Sequence, residues 1–142
     1  MSEWGQAWQM SFNADKCKVL HIGYRNEKAN YILNGTQLKS VDREVDLGVT
    51  ISSNLKPGLQ CSEVIKKANK IIGLIGRSFE YKSKDIILTL YNSLVRPHLE
   101  YCVQAWCPYY QKDIDKLERV QRRITKMIPN VRNKPYEERL AK

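Results

Sequence analysis

No apolar run in this 142-residue chain is long enough to span a bilayer, and no basic-then-apolar leader stands at its start. These two absences argue against membrane insertion and secretion and predict an intracellular protein, nuclear or cytoplasmic. Four cysteines (Cys17, Cys61, Cys102 and Cys107) are scattered with no C-x-x-C pair, so nothing asks for an oxidising compartment and they read as reduced thiols. Internal repeats and low-complexity tracts are also lacking. Beyond these absences the composition is ordinary and globular, 42% hydrophobic and 27% charged, enough to bury a core in one domain or one and a half.

Charge is present in excess, and it is unevenly placed. The net charge is +9. Residues 1–55 carry six basic and six acidic side chains, whereas residues 56–142 carry eighteen and nine. The whole surplus therefore lies in the second part, the pattern of a neutral scaffold joined to a basic region that meets a polyanion. Simple solubility is the competing explanation.

The hydrophobic pattern divides the chain at the same place. Trp4, Trp8 and Phe12 recur at i, i+4 and i+8, predicting an amphipathic helix over residues 2–12, followed by a turn at residues 13–15. Residues 17–22 read as a strand ending at Gly23, and residues 31–38 as a hairpin turning on Asn34-Gly35, where both positions accept positive φ. Val45, Leu47, Val49 and Ile51 alternate with polar residues and are expected on one face of a single strand. Pro57-Gly58 marks the linker. Beyond it, helical stripes are carried by Val64, Ile65, Ala68, Ile71, Ile72 and Ile75, then by Ile86 to Val95 with a kink or break at Pro97, after which Leu99 to Trp106 resume the pattern. A last stripe of Ile114, Leu117, Val120, Ile124 and Met127 ends before Pro129, leaving a loosely patterned basic tail from Asn130. The expected fold is α+β: a small antiparallel sheet with an N-terminal helix (residues 1–55), then a basic helical bundle (residues 56–142).

Three ordered stretches, WQMSFNADKCKVLHIG at 8–23, VDLGVTI at 45–51 and LYNSLVRPHLEYC at 90–102 continuing through Trp106-Cys107-Pro108, resemble the reverse transcriptases of LINE-type (non-LTR) retrotransposons. Order and separation match too, and the similarity covers nearly the whole chain. The resemblance implies the end of the palm followed by the thumb of an RNA-directed DNA polymerase. Its partner would be an RNA/DNA template–primer duplex. The rest of the palm and fingers, or another protein chain, would cover the incomplete sheet, so partial exposure is expected over residues 1–52. The family's aromatic-Ala-Asp-Asp turn would lie upstream of Met1, and no Asp-Asp pair occurs in this sequence. The Mg²⁺ of the full-length family would then lack its carboxylates, so this chain alone is expected to be inactive as a polymerase.

Each candidate site has a plainer explanation beside it. The resemblance places Lys16 beside the leaving pyrophosphate as a catalytic lysine, a compact cation with transferable protons; a solvated turn lysine looks the same in sequence. It makes Leu47, Gly48 and Val49 the primer grip, with Gly48 permitting close backbone approach; a β-bulge would use the same glycine. Lys66, Lys67 and Lys70 cluster within about a turn. Arg119, Arg122, Arg123 and Lys126 at i, i+3, i+4 and i+7 form a ladder about 10 Å long, able to follow phosphates without reading sequence. Solvated helix faces are the alternative there. Asp42, Glu44 and Asp46 read as a solvated strand face rather than a metal site, and His98, Cys102 and Cys107 match no common zinc spacing. Trp106, Tyr109 and Tyr110 offer base stacking but more commonly pack in cores and turns. A standalone basic nucleic-acid-binding module, or a non-functional structural relic, stays open beside the polymerase fragment.

Overall fold

The structure, a computed structural model, describes residues 2–140; Met1 and the last two residues of the basic tail lie outside the described residues. The chain is α+β and forms two compact units, Met1–Lys56 and Pro57–Lys142.

The first unit opens with helix α1 (Ser2–Ala7), shorter than the 2–12 stripe predicts. Gln9 takes a positive φ of 52°, which an α-helix does not accommodate, and the chain doubles back. The reversal still gathers the predicted aromatics: Trp4 lies 6.4 Å from Trp8 and 6.2 Å from Phe12, ring centre to ring centre. It also brings the Met10 carbonyl so near Gly5 that a Cβ there would sit at 2.7 Å, so only glycine fits.

The β part consists of three two-stranded ladders rather than one sheet. Strand β1 (Lys18–Leu20) pairs in parallel with β4 (Lys39–Val41), a polarity the pattern of single strands does not reveal. Strands β2 (Ile32–Leu33) and β3 (Thr36–Gln37) form the expected hairpin, with Asn34 and Gly35 at φ 50° and 78°, a type I′ turn. Strands β5 (Arg43–Asp46) and β6 (Val49–Ser52) form a second hairpin turning on Leu47-Gly48, at φ 46° and 81°.

That hairpin corrects the single alternating strand. A two-residue turn makes residues i and i+3 direct partners, so Asp46 faces Val49 and Val45 faces Thr50. Val45 and Val49 consequently lie on opposite faces: Val45 is exposed and Val49 buried. Val49 is the only buried apolar side chain of the described residues in this unit beyond glycine. Trp4, Trp8, Ile32, Val45 and Leu47 all stay exposed, consistent with the expected under-covered surface.

The second unit holds the core. Helix α2 (Gly58–Ser78) buries Val64, Ala68, Ile72 and Ile75, and helix α6 (Gln111–Thr125) buries Val120 and Ile124, each at helical spacing. Helix α3 (Lys84–Leu90) is capped by the Ser83 hydroxyl, which accepts from the Ile86 N–H at 3.4 Å, and it supplies Ile87 to the same cluster. Regular α-helical winding ends at Leu90, before Pro97 is reached. A π-helical turn over Tyr91–Val95 leads directly into α4 (Arg96–Glu100), so the proline, which lacks an N–H, falls in the first turn of a new helix. The interruption comes later, at Cys102, whose φ of 50° separates α4 from α5 (Val103–Trp106). The Trp106 indole is buried and donates to the Tyr101 carbonyl at 2.8 Å, which answers the base-stacking alternative for that ring. The tail is better ordered than its pattern suggests: Val131 is buried, and α7 (Tyr136–Leu140) docks Arg139 inward.

Candidate nucleic-acid interface

Lys16 closes a short 3₁₀ turn (Ala14–Lys16) whose start is fixed by Asn13, its side chain accepting from the Asp15 N–H at 3.0 Å. The lysine is exposed. Two residues on, Lys18 makes an ion pair of 2.7 Å with Glu44 of β5, which ties the lysine turn to the base of the β5–β6 hairpin. The Lys18 ammonium, donating to Glu44, holds that carboxyl below its ordinary value. Glu44 is thus engaged, and among the described residues no group of three or more His, Cys, Asp or Glu side chains could hold a metal ion. Neither the Asp42, Glu44 and Asp46 face nor His98, Cys102 and Cys107 makes such a group among the described residues.

Leu47, Gly48 and Val49 form the tip of the hairpin and the first residue of its return strand, rather than a continuous strand. Gly48 supplies the positive φ that the turn requires and does not make a bulge. Leu47 is 82% exposed in a left-handed conformation that its side chain disfavours, whereas Val49 is buried. The turn therefore presents one apolar side chain outward at a backbone cost.

The seven predicted cations belong to the second unit, and the packing of α2 on α6 brings the two clusters to one place. The Arg123 guanidinium donates to Asn69 Oδ1 at 2.8 Å, joining the two helices. Lys66 stands three residues before Asn69 and Lys70 one after; Arg119 and Lys126 stand four before and three after Arg123. Both basic stripes therefore flank a single interhelical hydrogen bond, each within about one helical turn of it.

These cations are not equivalent. Lys67, Lys70, Arg119 and Lys126 are exposed, and the ion pairs among the described residues leave them unneutralised. Lys66 pairs loosely with Glu63 at 3.4 Å, an exposed i,i+3 pair that water screens. Arg122 pairs with Glu118 at 3.2 Å and lies 4.6 Å over the Tyr136 ring, so it leans toward the tail. The four-rung ladder is thus reduced to Arg119 and Lys126, with Arg123 on the seam and Arg122 held to one side. No family model, no curated protein and no solved structure matches the chain.

Sequence reasoning missed two members of the α2 stripe. Lys66, Lys70, Gly73 and Arg77 succeed one another at i, i+4, i+7 and i+11, so the stripe runs farther than the lysine cluster. The spacing is visible in the sequence, but the uncharged Gly73 interrupts the run of cations between Lys70 and Arg77. Of the other candidates, the Tyr109 and Tyr110 rings lie 4.3 Å apart, centre to centre, and tilted by 41°, and the Lys112 ammonium lies 5.3 Å from the Tyr110 ring. Cys61 is buried in the first turns of α2, and burial together with nearby Asp113 pushes its thiol pKa up, which disfavours the reactive thiolate.

Proposed function

We propose that this chain is the end-of-palm and thumb region of a non-LTR retrotransposon reverse transcriptase, and that its task is to hold an RNA/DNA template–primer duplex by the backbone. The observation that carries the reading is the convergence of the α2 and α6 cations on the Asn69–Arg123 seam. Lys66, Lys70, Arg77, Arg119 and Lys126 then supply a surface of cations without base-reading geometry, with Lys67 about 160° round α2 from Asn69. The exposed Leu47-Gly48 tip supports the grip assignment, since a positive-φ glycine beside a protruding leucine lets a strand come close. Lys16 keeps the role that the resemblance gives it, next to a triphosphate site completed by other parts of such an enzyme. A chain serving a mobile element's nucleic acid works in the cytoplasm or the nucleus. Among the described residues, no helix is long and apolar enough to cross a membrane.

The test is a filter-binding titration against an RNA–DNA hybrid at several salt concentrations. Engagement of about four phosphates gives a log–log salt slope near −3.6, or about a hundredfold loss between 50 and 200 mM salt. Replacing Arg119, Lys126 and Lys70 by glutamine is expected to flatten the slope by about 0.9 for each phosphate no longer engaged, equally for all sequences. A salt-independent affinity, or none, removes the reading.

A second reading, a standalone basic nucleic-acid-binding module, is favoured by the second unit's own core of nine buried residues from α2, α3, α6 and the segments around them. It differs in one outcome. Leu47→Ala weakens hybrid binding if the hairpin tip grips a primer and leaves it unchanged if the helices act alone.

A further inference from the structure

Arg139 is 8% exposed, and no ion pair among the described residues includes it. Its Nε is buried without a hydrogen-bond partner. One terminal nitrogen reaches the Arg122 carbonyl only at 3.5 Å, the long limit of a hydrogen bond, and the guanidinium carbon lies 5.5 Å from the Tyr136 ring centre. Arg122 shares that ring at 4.6 Å, so two cations use one aromatic ring. A buried guanidinium with an orphaned donor and no counter-charge is costly, because buried charges are ordinarily paired and buried donors satisfied.

The same arginine lines a cavity of about 280 Å³ between α3, α6 and the tail. Its walls are mostly apolar, built from Ile87, Leu88, Ile124, Ile128 and Val131, and Tyr91, Gln121, Thr125 and the exposed Lys84 also line it. The volume falls just below the range of about 300–1,000 Å³ that takes drug-sized ligands, so the space suits a smaller molecule. Apolar walls ending in one desolvated cation select a ligand of matching form, with an apolar body and a single anionic head.

We infer that this cavity binds a small amphipathic carboxylate, with Arg139 receiving the carboxylate and the isoleucine wall receiving the hydrocarbon. The carboxylate supplies the counter-charge that the Arg139 guanidinium lacks, through a charge-assisted hydrogen bond to the part of the group that lines the cavity. The site is distinct from the α2–α6 seam and does not depend on nucleic-acid binding.

The experiment is a methyl-resolved NMR titration of the full chain with octanoate below its micelle concentration, with 1-octanol and acetate in parallel. Octanoate is expected to shift the Ile87, Ile124 and Ile128 methyls saturably. Octanol should bind at least tenfold more weakly for want of the charge, and acetate should leave the methyls unmoved. Arg139→Gln is expected to bring octanoate down to the octanol affinity. Should that variant fail to fold, the octanoate–octanol contrast on the unaltered chain decides alone. Equal affinity for acid and alcohol, or no saturable shift with octanoate, overturns the assignment.

Discussion

Replacing Gly73 by alanine should make the protein more stable, and the size of the gain is set by one position on α2. Gly73 lies deep inside a 21-residue helix, where glycine is about 0.8–1.0 kcal/mol less favourable than alanine. A Cβ built there meets nothing within 4 Å, so no clash offsets the gain in helix propensity. Gly76, three residues on, is different: its Cβ would lie 3.4 Å from Met127 Cε, so alanine there makes a tight contact with the end of a flexible side chain. Gly73→Ala is therefore expected to stabilise by about 1 kcal/mol, which in a domain of this size raises Tm by roughly 4–8 °C, and Gly76→Ala by less. Urea unfolding followed by far-UV circular dichroism tests this, with the midpoint moving up at unchanged slope. A drop in stability for Gly73→Ala would mean that something packs on this stripe in the free protein, and α2 would not present an open basic face.

Three further outcomes are expected. Leu47→Asn turns the second hairpin tip into the Asn-Gly pair that the first already uses, relieving left-handed strain by about 0.5–1 kcal/mol; slower amide exchange at Val49 and Thr50 would report it, and faster exchange would refute the turn assignment. Asp113, 1% exposed, pairs with Lys116 at 3.0 Å, and its Oδ2 would lie 3.3 Å from a Cβ on Gly58 at the start of α2, where no side chain caps the helix. Asp113→Ala should cost about 1–2 kcal/mol through the lost pair and helix-end charge, while a neutral effect in thermal melts would show that α2 does not use it. Glu44 titrates below its ordinary value of 4.5 because Lys18 stabilises its charged form, so the pair's contribution is complete above that value and disappears as pH falls through the lower folded pKa. Carboxyl NMR should place the Glu44 midpoint below 4.5, and Lys18→Met should return it upward.

The helices of the second unit were legible because a 3.6-residue stripe has one reading when the helix is long. Val64, Ala68, Ile72 and Ile75 mark α2, and Val120 and Ile124 mark α6, with core and sequence in agreement. The Asn34-Gly35 turn was legible for a local reason, since that dipeptide accepts the required backbone. The Leu47-Gly48 turn was hidden because alternation continues across a two-residue loop even as the faces exchange. The parallel β1–β4 pairing was hidden because it depends on segments about twenty residues apart. As for the candidate site, the cations could be named, but their division into free and engaged could not. Arg122 was taken up by Glu118 and Tyr136, and Arg123 by Asn69, partners that only packing and the helix repeat assign. Arg139 gave no sequence signal at all, since a surface arginine is the ordinary expectation for a short charged tail.

The π turn before Pro97 settles a question of phase. Ile87, Tyr91, Val95 and Leu99 are four residues apart, and all four belong to or pack against the core cluster. On an ordinary α-helix, steps of four drift sideways by about 40° each, so the last would have wandered about a third of the way round the cylinder. The wider winding over Tyr91–Val95 absorbs part of that drift and keeps the file of side chains pointed inward. Removing one residue from this stretch would leave eleven steps of about 100° between Ile87 and Leu99, within about 20° of three full turns, so regular winding would then aim the same file inward without the wide turn.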